Sequence, residues 1–376
     1  MGSYDPEPQK LWIETPCIPS TALSQVAGCN IFLKLENLQP SGSFKSRGIG
    51  NMMRRALLAH QKASTDTKSP ADEDKDKGTV VVHFYCSSGG NAGLACATAA
   101  AALSRGGAPC TCTIVVPLTA PAHQIAKLRL LGATVHQVGA DWSSADKFLR
   151  TELLARDDPK AAIYVPPFDH PHVWEGAASI VDEVVAQTAG SLLAAASGSG
   201  SGNTGNNSGK IDGIVCSVGG GGLLSGIMEG VERLKDKPRV LAIETLGADS
   251  LNQSVRAGEL VTLPAITSVA TSLGAVRVAE QAFEWTRSAA HLTSHVVSDA
   301  DAVAGSVRFA NDALMLVEVA CGAAVAPVYN GDLRRVLGAG LRDEEWAGKN
   351  VVLIVCGGSN VTLEMLRAYQ ERFGVV

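Results

Sequence analysis

Residues 211–224 read IDGIVCSVGGGGLL, and this stretch indicates the fold class. Ile211 to Val218 form a short, mostly apolar run of the kind found in strands that are buried on both faces. Four consecutive glycines, Gly219 to Gly222, follow at once and lead into an apolar segment that begins with Leu223. A strand, a glycine turn and a helix in this order are typical of a parallel sheet.

The same rhythm recurs along the 376 residues of the chain. Apolar, β-branched runs predict strands at 31–36, 79–85, 111–116, 134–138, 211–218, 240–244 and 351–355. Alanine-rich stretches between them predict helices at 91–104, 121–131, 141–154 and 174–188. We therefore expect an α/β protein with parallel sheets, and the chain length favours two domains. In such sheets, ligands bind at the carboxyl ends of the strands.

Composition excludes several classes of protein. A net charge of −5 argues against a nucleic-acid partner, which would need a basic stripe. No apolar stretch approaches the roughly 20 residues of a membrane span, and the first residues lack the pattern of a secretory signal. The nine cysteines include no CxxC pair, which indicates reduced, buried thiols in a cytoplasmic protein.

Two of the predicted turns offer an amine and a carboxylate pocket. Gln39 to Lys45 lead from the first strand into a helix, so that Lys45 lies beside free backbone N–H groups, a place that suits an amine acting as a nucleophile. Ser87 to Gly93 follow the next strand. Their hydroxyls, the Asn91 amide and a helix N-terminus can donate to a carboxylate.

Two further turns complete the set. Gly219 to Gly222 expose a row of N–H groups, and because the loop lacks both the P-loop lysine and the GxGxxG spacing, a single phosphate group fits it better than a nucleotide. Cys356 to Asn360 follow the last strand and are expected to open the final helix. Cys356 there is either a weak donor to a ligand ring or a packing residue. Together the turns meet the needs of pyridoxal phosphate and an amino acid.

The chain resembles the fold-type II pyridoxal-phosphate enzymes and, within them, the serine/threonine dehydratases of the animal and fungal type. Besides the four turns, the resemblance is carried by PPFD at 166–169, WEG at 174–176, ETLGA at 244–248, ITSVA at 266–270 and EVACGAA at 318–324. It implies two domains, each a twisted, mostly parallel sheet flanked by helices: a large cofactor-binding domain of residues 1–47 and 160–376, and a small domain of residues 48–159 that carries the carboxylate loop. Residues 64–78 and 190–210 are interpreted as surface insertions, the second of them flexible.

The resemblance also implies the site residues. Lys45 is expected to hold the cofactor as a Schiff base and to remove the substrate Cα proton, which leads by β-elimination from L-serine or L-threonine to a 2-oxo acid and ammonia. Cofactor contacts are expected from Phe44, Lys45, Asn91, Gly219, Gly220, Gly221, Gly222, Leu223 and Cys356. Substrate contacts are expected from Ser43, Ser88, Gly89, Asn91 and Ala270.

A monovalent cation, usually potassium, is implied near the phosphate loop. Its expected ligands are Glu244, Ser250 and groups of Gly219, Ala248, Leu273 and Ala275, and the alternative for Glu244 is an ordinary ion pair at a strand end. The resemblance further implies a small amino acid as substrate and a homodimer, with no nucleic-acid or membrane partner.

Other activities on the same fold stay open at this point. They are β-replacement of the cysteine synthase kind, threonine synthase chemistry, amino-acid racemisation, action on another hydroxy amino acid in specialised metabolism, and amino-acid sensing without catalysis. Cys356 at the position of the ring nitrogen favours elimination, because a thiol is a poor proton source for that nitrogen. A racemase needs a second acid or base where Ala270 offers a methyl group, and an intact Lys45 argues against a sensor.

Overall fold

The computed structural model describes residues 10–66, 81–188 and 210–375. Within them the chain forms two compact units, one of residues 10–13 and 45–176 and the other of residues 14–44 and 177–375. The sequence-based boundaries instead gave residues 10–13, 45–47 and 160–176 to the larger domain. Of the two proposed insertions, only residues 64–66 and Lys210 lie within the described residues.

The smaller unit is built on a four-stranded sheet with the order β5-β4-β3-β6, and all of its strand pairs are parallel. Its strands are β3 (Val82–Cys86), β4 (Cys110–Val116), β5 (Thr134–Gln137) and β6 (Ala162–Tyr164). Its helices are α2 (Lys45–Asp66), α3 (Asn91–Arg105), α4 (Ala122–Leu130), α5 (Trp142–Phe148) and the start of α6 (Pro171–Gln187) as far as Gly176; the rest of α6 belongs to the larger unit. A π-helical turn (Leu149–Leu153) and a 3-10 turn (Leu154–Arg156) continue α5.

The larger unit is built on a six-stranded sheet with the order β1-β2-β10-β7-β8-β9, parallel except for β1 at its edge. Its strands are β1 (Cys17–Pro19), β2 (Asn30–Lys34), β7 (Gly213–Ser217), β8 (Arg239–Thr245), β9 (Leu292–Val297) and β10 (Asn350–Ile354). Its helices are α1 (Thr21–Ala27), α7 (Gly222–Glu232), α8 (Ser250–Ala257), α9 (Glu280–Ser288), α10 (Asp299–Ala313), α11 (Val319–Tyr329), α12 (Asp332–Leu337), α13 (Asp343–Ala347) and α14 (Leu363–Phe373).

The central strands show why the apolar runs fold as they do. All five residues of β7 and of β10 are buried, as expected for strands covered by helices on both faces. Their side chains belong to one hydrophobic core that also takes in α7 and α11. In the register of the sheet, Val351 lies between Ile31 on one side and Gly213 on the other, so β10 is inserted between β2 and β7.

The predicted α/β fold with parallel sheets is confirmed. The prediction missed β1, β6 and β9. It was also wrong about the last helix, which begins at Leu363 and not at Cys356 to Asn360, because Gly357 and Gly358 adopt φ values of +79° and +114°, outside the helical region. In the part of the chain that the structure describes, no helix is long and apolar enough to cross a bilayer.

Candidate active site

Lys45 is the first residue of α2, as the sequence predicted. Its Nζ donates a hydrogen bond to the carbonyl oxygen of Pro167 at 2.6 Å and lies 6.0 Å from the centre of the Phe168 ring. The PPFD segment at 166–169, whose role the sequence did not reveal, therefore fixes the position of the amine. A main-chain carbonyl can accept a proton from a lysine in either charge state, so it orients the amine without requiring it to be charged.

The residues before Lys45 are fixed by the turn that follows β10. Ser43 forms an isolated antiparallel bridge with Gly357, and the N–H of Phe44 donates to the Cys356 carbonyl at 3.1 Å. The Ser43 hydroxyl is buried and has no hydrogen-bond partner among the described residues. Burial of a hydroxyl group without a hydrogen-bond partner lowers the stability of a folded protein, so such a group is expected where a ligand supplies the partner.

The segment Ser87 to Gly93 connects β3 to α3. A Cβ on Gly93 would collide with the Ser88 carbonyl oxygen, so the turn requires glycine there. Ser87 donates its hydroxyl to Asp146 at 2.6 Å, whereas Ser88 has no side-chain hydrogen bond within residues 10–66, 81–188 and 210–375. The Ser88 hydroxyl is therefore available to an anion, and it lies just before the start of α3, as the carboxylate pocket needs.

The glycine loop connects β7 to α7 and packs closely against neighbouring segments. Gly221 has a φ of +88°, and a Cβ added there would lie 2.7 Å from the Ala282 Cβ. A Cβ on Gly219 would lie 2.9 Å from the Leu273 Cα. The loop is thus held against its neighbours so closely that only glycine fits. The Ser225 hydroxyl in the first turn of α7 is buried without a partner among the described residues.

Cys356 follows β10, the neighbour of β7 in the sheet, so it lies at the same carboxyl edge as the glycine loop. Its Sγ is 3.4 Å from the Ser217 Oγ. The Cys321 thiol, which is hydrogen-bonded to Cys356 and fully buried, has its pKa raised well above the usual value for both reasons. The Cys321 thiol is therefore held in its neutral form.

The residues proposed for a cation fall into two groups. Glu244 is the second-last residue of β8 and is fully buried. Its carboxylate accepts hydrogen bonds from the N–H groups of Leu251 at 2.9 Å and Asn252 at 2.7 Å. Burial raises its pKa from 4.5 to about 8. Ser250 lies at the start of the same helix, and its hydroxyl has no partner within the described residues.

The second group is formed by Gly219, Leu273 and Ala275. A Cβ on Gly219 would lie 3.2 Å from the Leu273 carbonyl oxygen, and the Ala275 N–H donates to that same oxygen at 2.7 Å. Ala248 belongs with Glu244, because its N–H bonds to the Thr245 carbonyl at 2.8 Å. The alternative of an ion pair for Glu244 finds no support, since no described cationic side chain pairs with it. No cluster of three or more His, Cys, Asp or Glu side chains suited to a metal occurs among the described residues.

Ala270, expected to line the substrate pocket, is held by a polar network that the sequence did not reveal. Its N–H donates to the Ser268 Oγ at 3.0 Å. Ser268 donates to the Asp299 Oδ1 at 2.5 Å, and Thr245 lies 2.8 Å from the same hydroxyl. Ser268 lies in the shared motif ITSVA, but Asp299 begins a helix 29 residues after Ala270 and only the fold brings it here.

Comparison with known proteins identifies the family. Residues 9–357 match the family model described as "Pyridoxal-phosphate dependent enzyme", which is most of the chain. The chain belongs to this family. The membership predicted from the four turns is therefore confirmed.

Named members of this pyridoxal-phosphate family are similar over almost their full length. The L-serine dehydratase/L-threonine deaminase of Bos taurus is 40% identical, over 97% of this chain and 97% of that protein. The catabolic L-serine/threonine dehydratase of Saccharomyces cerevisiae is 38% identical, over 90% of this chain and 86% of its own length. Among solved structures, a fungal L-serine ammonia-lyase from Rhizomucor miehei matches with a TM-score of 0.78 and 32% identity, over 97% of this chain and 100% of that chain.

The residues present fit the cofactor of the family. The glycine loop leads directly into α7, and the Ser225 hydroxyl in the first turn of that helix is buried without a partner among the described residues. A phosphate group supplies acceptors for N–H and hydroxyl donors of this kind. Lys45 supplies the amine, so the donor set agrees with pyridoxal phosphate.

Proposed function

We propose that this protein is a pyridoxal-phosphate dependent ammonia-lyase that converts L-serine to pyruvate, and L-threonine to 2-oxobutanoate, with release of ammonia. The observation that carries the proposal is the 40% identity, over 97% of the chain, to the bovine L-serine dehydratase/L-threonine deaminase. The local structure supports it, because each element that the reaction needs is found at the carboxyl end of a strand or in the first turn of a helix.

The chain's own groups bind the cofactor. The N–H groups of Gly219, Gly220, Gly221, Gly222 and Leu223 hold the phosphate, with the Ser225 hydroxyl as a further donor. Phe44, Asn91 and Cys356 are the residues that would hold its ring, with Phe44 as a packing partner, Asn91 as a hydrogen-bond partner of the ring hydroxyl and Cys356 near the ring nitrogen. When bound, pyridoxal phosphate withdraws electrons from the Cα of an attached amino acid and so makes the Cα proton removable.

Lys45 both attaches the cofactor and moves the proton. Lys45 Nζ would attach the cofactor, and once the substrate amine has replaced it there, the same amine would accept the proton from the substrate Cα. The Pro167 carbonyl, 2.6 Å from Nζ, orients this amine. Removal of the Cα proton and of the β-hydroxyl group releases one water, and hydrolysis of the resulting imine consumes one water and gives the 2-oxo acid and ammonia.

The substrate carboxylate is held by the turn after β3. Ser88 Oγ, the backbone of Gly89 and the first N–H groups of α3 donate to it, and Asn91 closes the pocket. Ser43 and Ala270 border the rest of the substrate. Because Ala270 offers only a methyl group, no second acid or base stands there, and elimination is favoured over racemisation.

The finer proposals concern the cation, the assembly and the compartment. A monovalent cation such as K⁺ is bound by Glu244 and Ser250 with Gly219, Ala248, Leu273 and Ala275, since a buried carboxylate and an unpartnered hydroxyl are oxygen ligands that such an ion prefers. The protein acts as a cytoplasmic homodimer, as its resemblance to the family implies.

The test is an activity assay on cofactor-saturated protein with L-serine and with L-threonine, with and without K⁺. Formation of pyruvate or 2-oxobutanoate in equal amounts with ammonia is expected. Lys45→Ala should abolish it and remove the visible absorbance of the lysine-bound cofactor, whereas Lys62→Ala, an exposed lysine of the same helix, should change neither.

Three outcomes would contradict the proposal. Full activity of Lys45→Ala would exclude Lys45 as the reacting amine. Formation of D-serine without pyruvate would identify a racemase, and consumption of serine only in the presence of an added thiol or sulfide would identify a β-replacement enzyme.

A further inference from the structure

A cavity of about 250 Å³ opens in the larger unit at the edge of the sheet opposite to the proposed active site. It is lined by residues at the start of β7, β8 and β10, among them Asp212, Arg239 and Lys349. The glycine loop and Cys356 lie at the carboxyl ends of β7 and β10. Because these strands have five residues each and rise about 3.3 Å per residue, roughly 15 Å separates the two edges. The cavity is therefore a separate site.

Basic side chains dominate the rim of this cavity. Lys210, Lys237, Arg239 and Lys349 line it, against one acidic residue, Asp212. Four cations around so small a space would repel one another unless anions lie between them.

Two of these cations are already neutralised by the protein. Lys349 Nζ lies 2.9 Å from the Asp212 Oδ1, and the other oxygen of that carboxylate accepts the Asn350 N–H at 3.0 Å. Lys237 forms an ion pair with Glu232 outside the cavity lining. Asp212 and Glu232 are thus committed to partners and do not offset the remaining charges.

The other two cations have no carboxylate partner among the described residues. Arg239 donates from Nη1 to the Leu337 carbonyl at 2.9 Å, a contact that fixes the guanidinium but leaves its other N–H groups and its charge uncompensated. Lys210 makes no side-chain hydrogen bond or ion pair within the described part of the chain. The cavity therefore carries two positive charges in excess, one of them on a planar group suited to phosphate oxygens.

The apolar part of the lining is formed by Leu337, Ala339, Leu341 and Trp346. Trp346 is 3% exposed, and its indole N–H donates to the Ala27 carbonyl at 2.8 Å. A ligand that fills this space can place an apolar body against these residues and a compact anion beside the cations.

We propose that this cavity binds a small organic phosphate, a phosphate monoester with an apolar or aromatic body, at a site distinct from the cofactor. A phosphate monoester carries a charge of about −1.5 to −2 at neutral pH, which matches the two uncompensated cations. Lys210 and Arg239 bind the phosphate, and the wall around Trp346 contacts the body. The proposal is independent of the reaction at the other edge of the sheet.

The test is isothermal titration calorimetry, in which phenyl phosphate is added to cofactor-saturated protein. The cofactor already occupies the glycine loop, so the probe cannot bind there. One molecule per chain is expected to bind, more tightly than inorganic phosphate or phenol alone. Arg239→Gln and Lys210→Gln should each weaken binding about tenfold or more, because each removes a charged hydrogen bond. Ala339→Phe, which fills the apolar side, should weaken phenyl phosphate more than inorganic phosphate.

Lys235→Gln is the matched control, since Lys235 is an exposed lysine two residues from Lys237 that does not line the cavity. It should leave the affinity unchanged. Arg239 also bonds to the Leu337 carbonyl, so the folding of each variant is checked by thermal unfolding. Lys210 is exposed, and Lys210→Gln removes a charge without disturbing this bond. Absence of heat at millimolar phenyl phosphate, or binding that survives both Lys210→Gln and Ala339→Phe, would overturn the proposal.

Discussion

The carboxylate of Glu318 accepts a hydrogen bond from the backbone N–H of Asn360, with Oε1 and N 2.6 Å apart. Glu318 is 3% exposed and directly precedes α11, while Asn360 ends the turn that follows Cys356. A Cβ on Gly358, whose φ is +114°, would collide with this same carboxylate. The turn beside Cys356 is therefore shaped by a buried acid 42 residues earlier in the chain.

Gly358→Ala is expected to lower the free energy of unfolding by about 2 kcal/mol or more, since it adds both an unfavourable φ and a collision with Glu318. In a Glu318→Ala background the collision is gone, and the same substitution should be less destabilising by about 1 kcal/mol or more. Denaturant unfolding of the four proteins of this cycle measures the difference. Gly258→Ala, with a φ of +76° and no atom near its Cβ, reports the backbone strain alone. Equal effects in both backgrounds would show that the two residues do not interact.

The buried carboxyl of Glu244 predicts a stability that depends on pH and on potassium. Its pKa is raised from 4.5 to about 8 by burial, so between these values the folded chain holds a proton that the unfolded chain has released. Stability should therefore fall as pH rises from 4.5 towards 8 and should level off above that. A bound cation favours the ionised carboxylate, so K⁺ should reduce the fall.

Thermal unfolding at several pH values, in K⁺ and in tetramethylammonium buffers, measures both effects. Glu244→Gln should remove the K⁺ dependence and flatten the pH profile, whereas Glu259→Gln, an exposed acid, should leave both unchanged. A K⁺ effect that persists in Glu244→Gln would place the cation elsewhere.

Gly221→Ala is expected to weaken cofactor binding. Its φ is +88°, and its new Cβ would lie 2.7 Å from Ala282 and 2.9 Å from Val278, so the loop has to move away from the position in which its N–H groups meet the phosphate. We expect cofactor affinity to fall about tenfold or more, measured by absorbance during titration with pyridoxal phosphate.

Gly340→Ala is the control for this substitution. Gly340 has a similar φ of +79°, but no atom lies within 4 Å of its Cβ position. It should lose a comparable amount of stability through backbone strain and keep the affinity for the cofactor. Equal loss of affinity in both variants would mean that the glycine loop has no special part in binding.

The thiols are expected to be unreactive in the folded protein. All nine cysteines are buried. Burial raises the pKa of Cys17 to about 11 and that of Cys110 to about 11, so the reactive thiolate form is scarce at neutral pH. A thiol reagent such as DTNB should react with none of them rapidly in the native state and with nine after denaturation.

Leu130→Cys provides a positive control, because Leu130 is 88% exposed. It should add one thiol that reacts at once. Rapid reaction of a native cysteine would reveal an opening of the fold at that residue.

The sequence was sufficient for those parts of the fold that depend on local patterns. Buried strands such as β7 and β10 are continuous apolar runs, so both were predicted, and the glycines after β7 marked the start of the helix that follows it. β1 and β6 have three residues each, too few for a periodic pattern to show. In the same way, Lys45 could be placed at a helix start from its own loop.

The residues that position the site could not be predicted, because their partners are distant in sequence. The Pro167 carbonyl is a main-chain group 122 residues from Lys45, and no residue type marks it. Glu318 and Asp299 act through contacts that exist only once α10 and α11 are packed against the sheet. The final helix was predicted too early, since the glycines at 357 and 358 were taken as part of a helix entrance and in fact form a turn closed by Glu318.

The insertion of β10 between β2 and β7 has a consequence for synthesis on the ribosome. The four strands of the smaller unit lie between residues 82 and 164, so its sheet can pair while the rest of the chain is still being made. The larger sheet is different, because some 300 residues must be synthesised after β2 before its neighbour β10 emerges. Until then the edges of β2 and β7 that pair with β10 have no partner strand. A chaperone that covers these edges would protect the chain from aggregation during that interval.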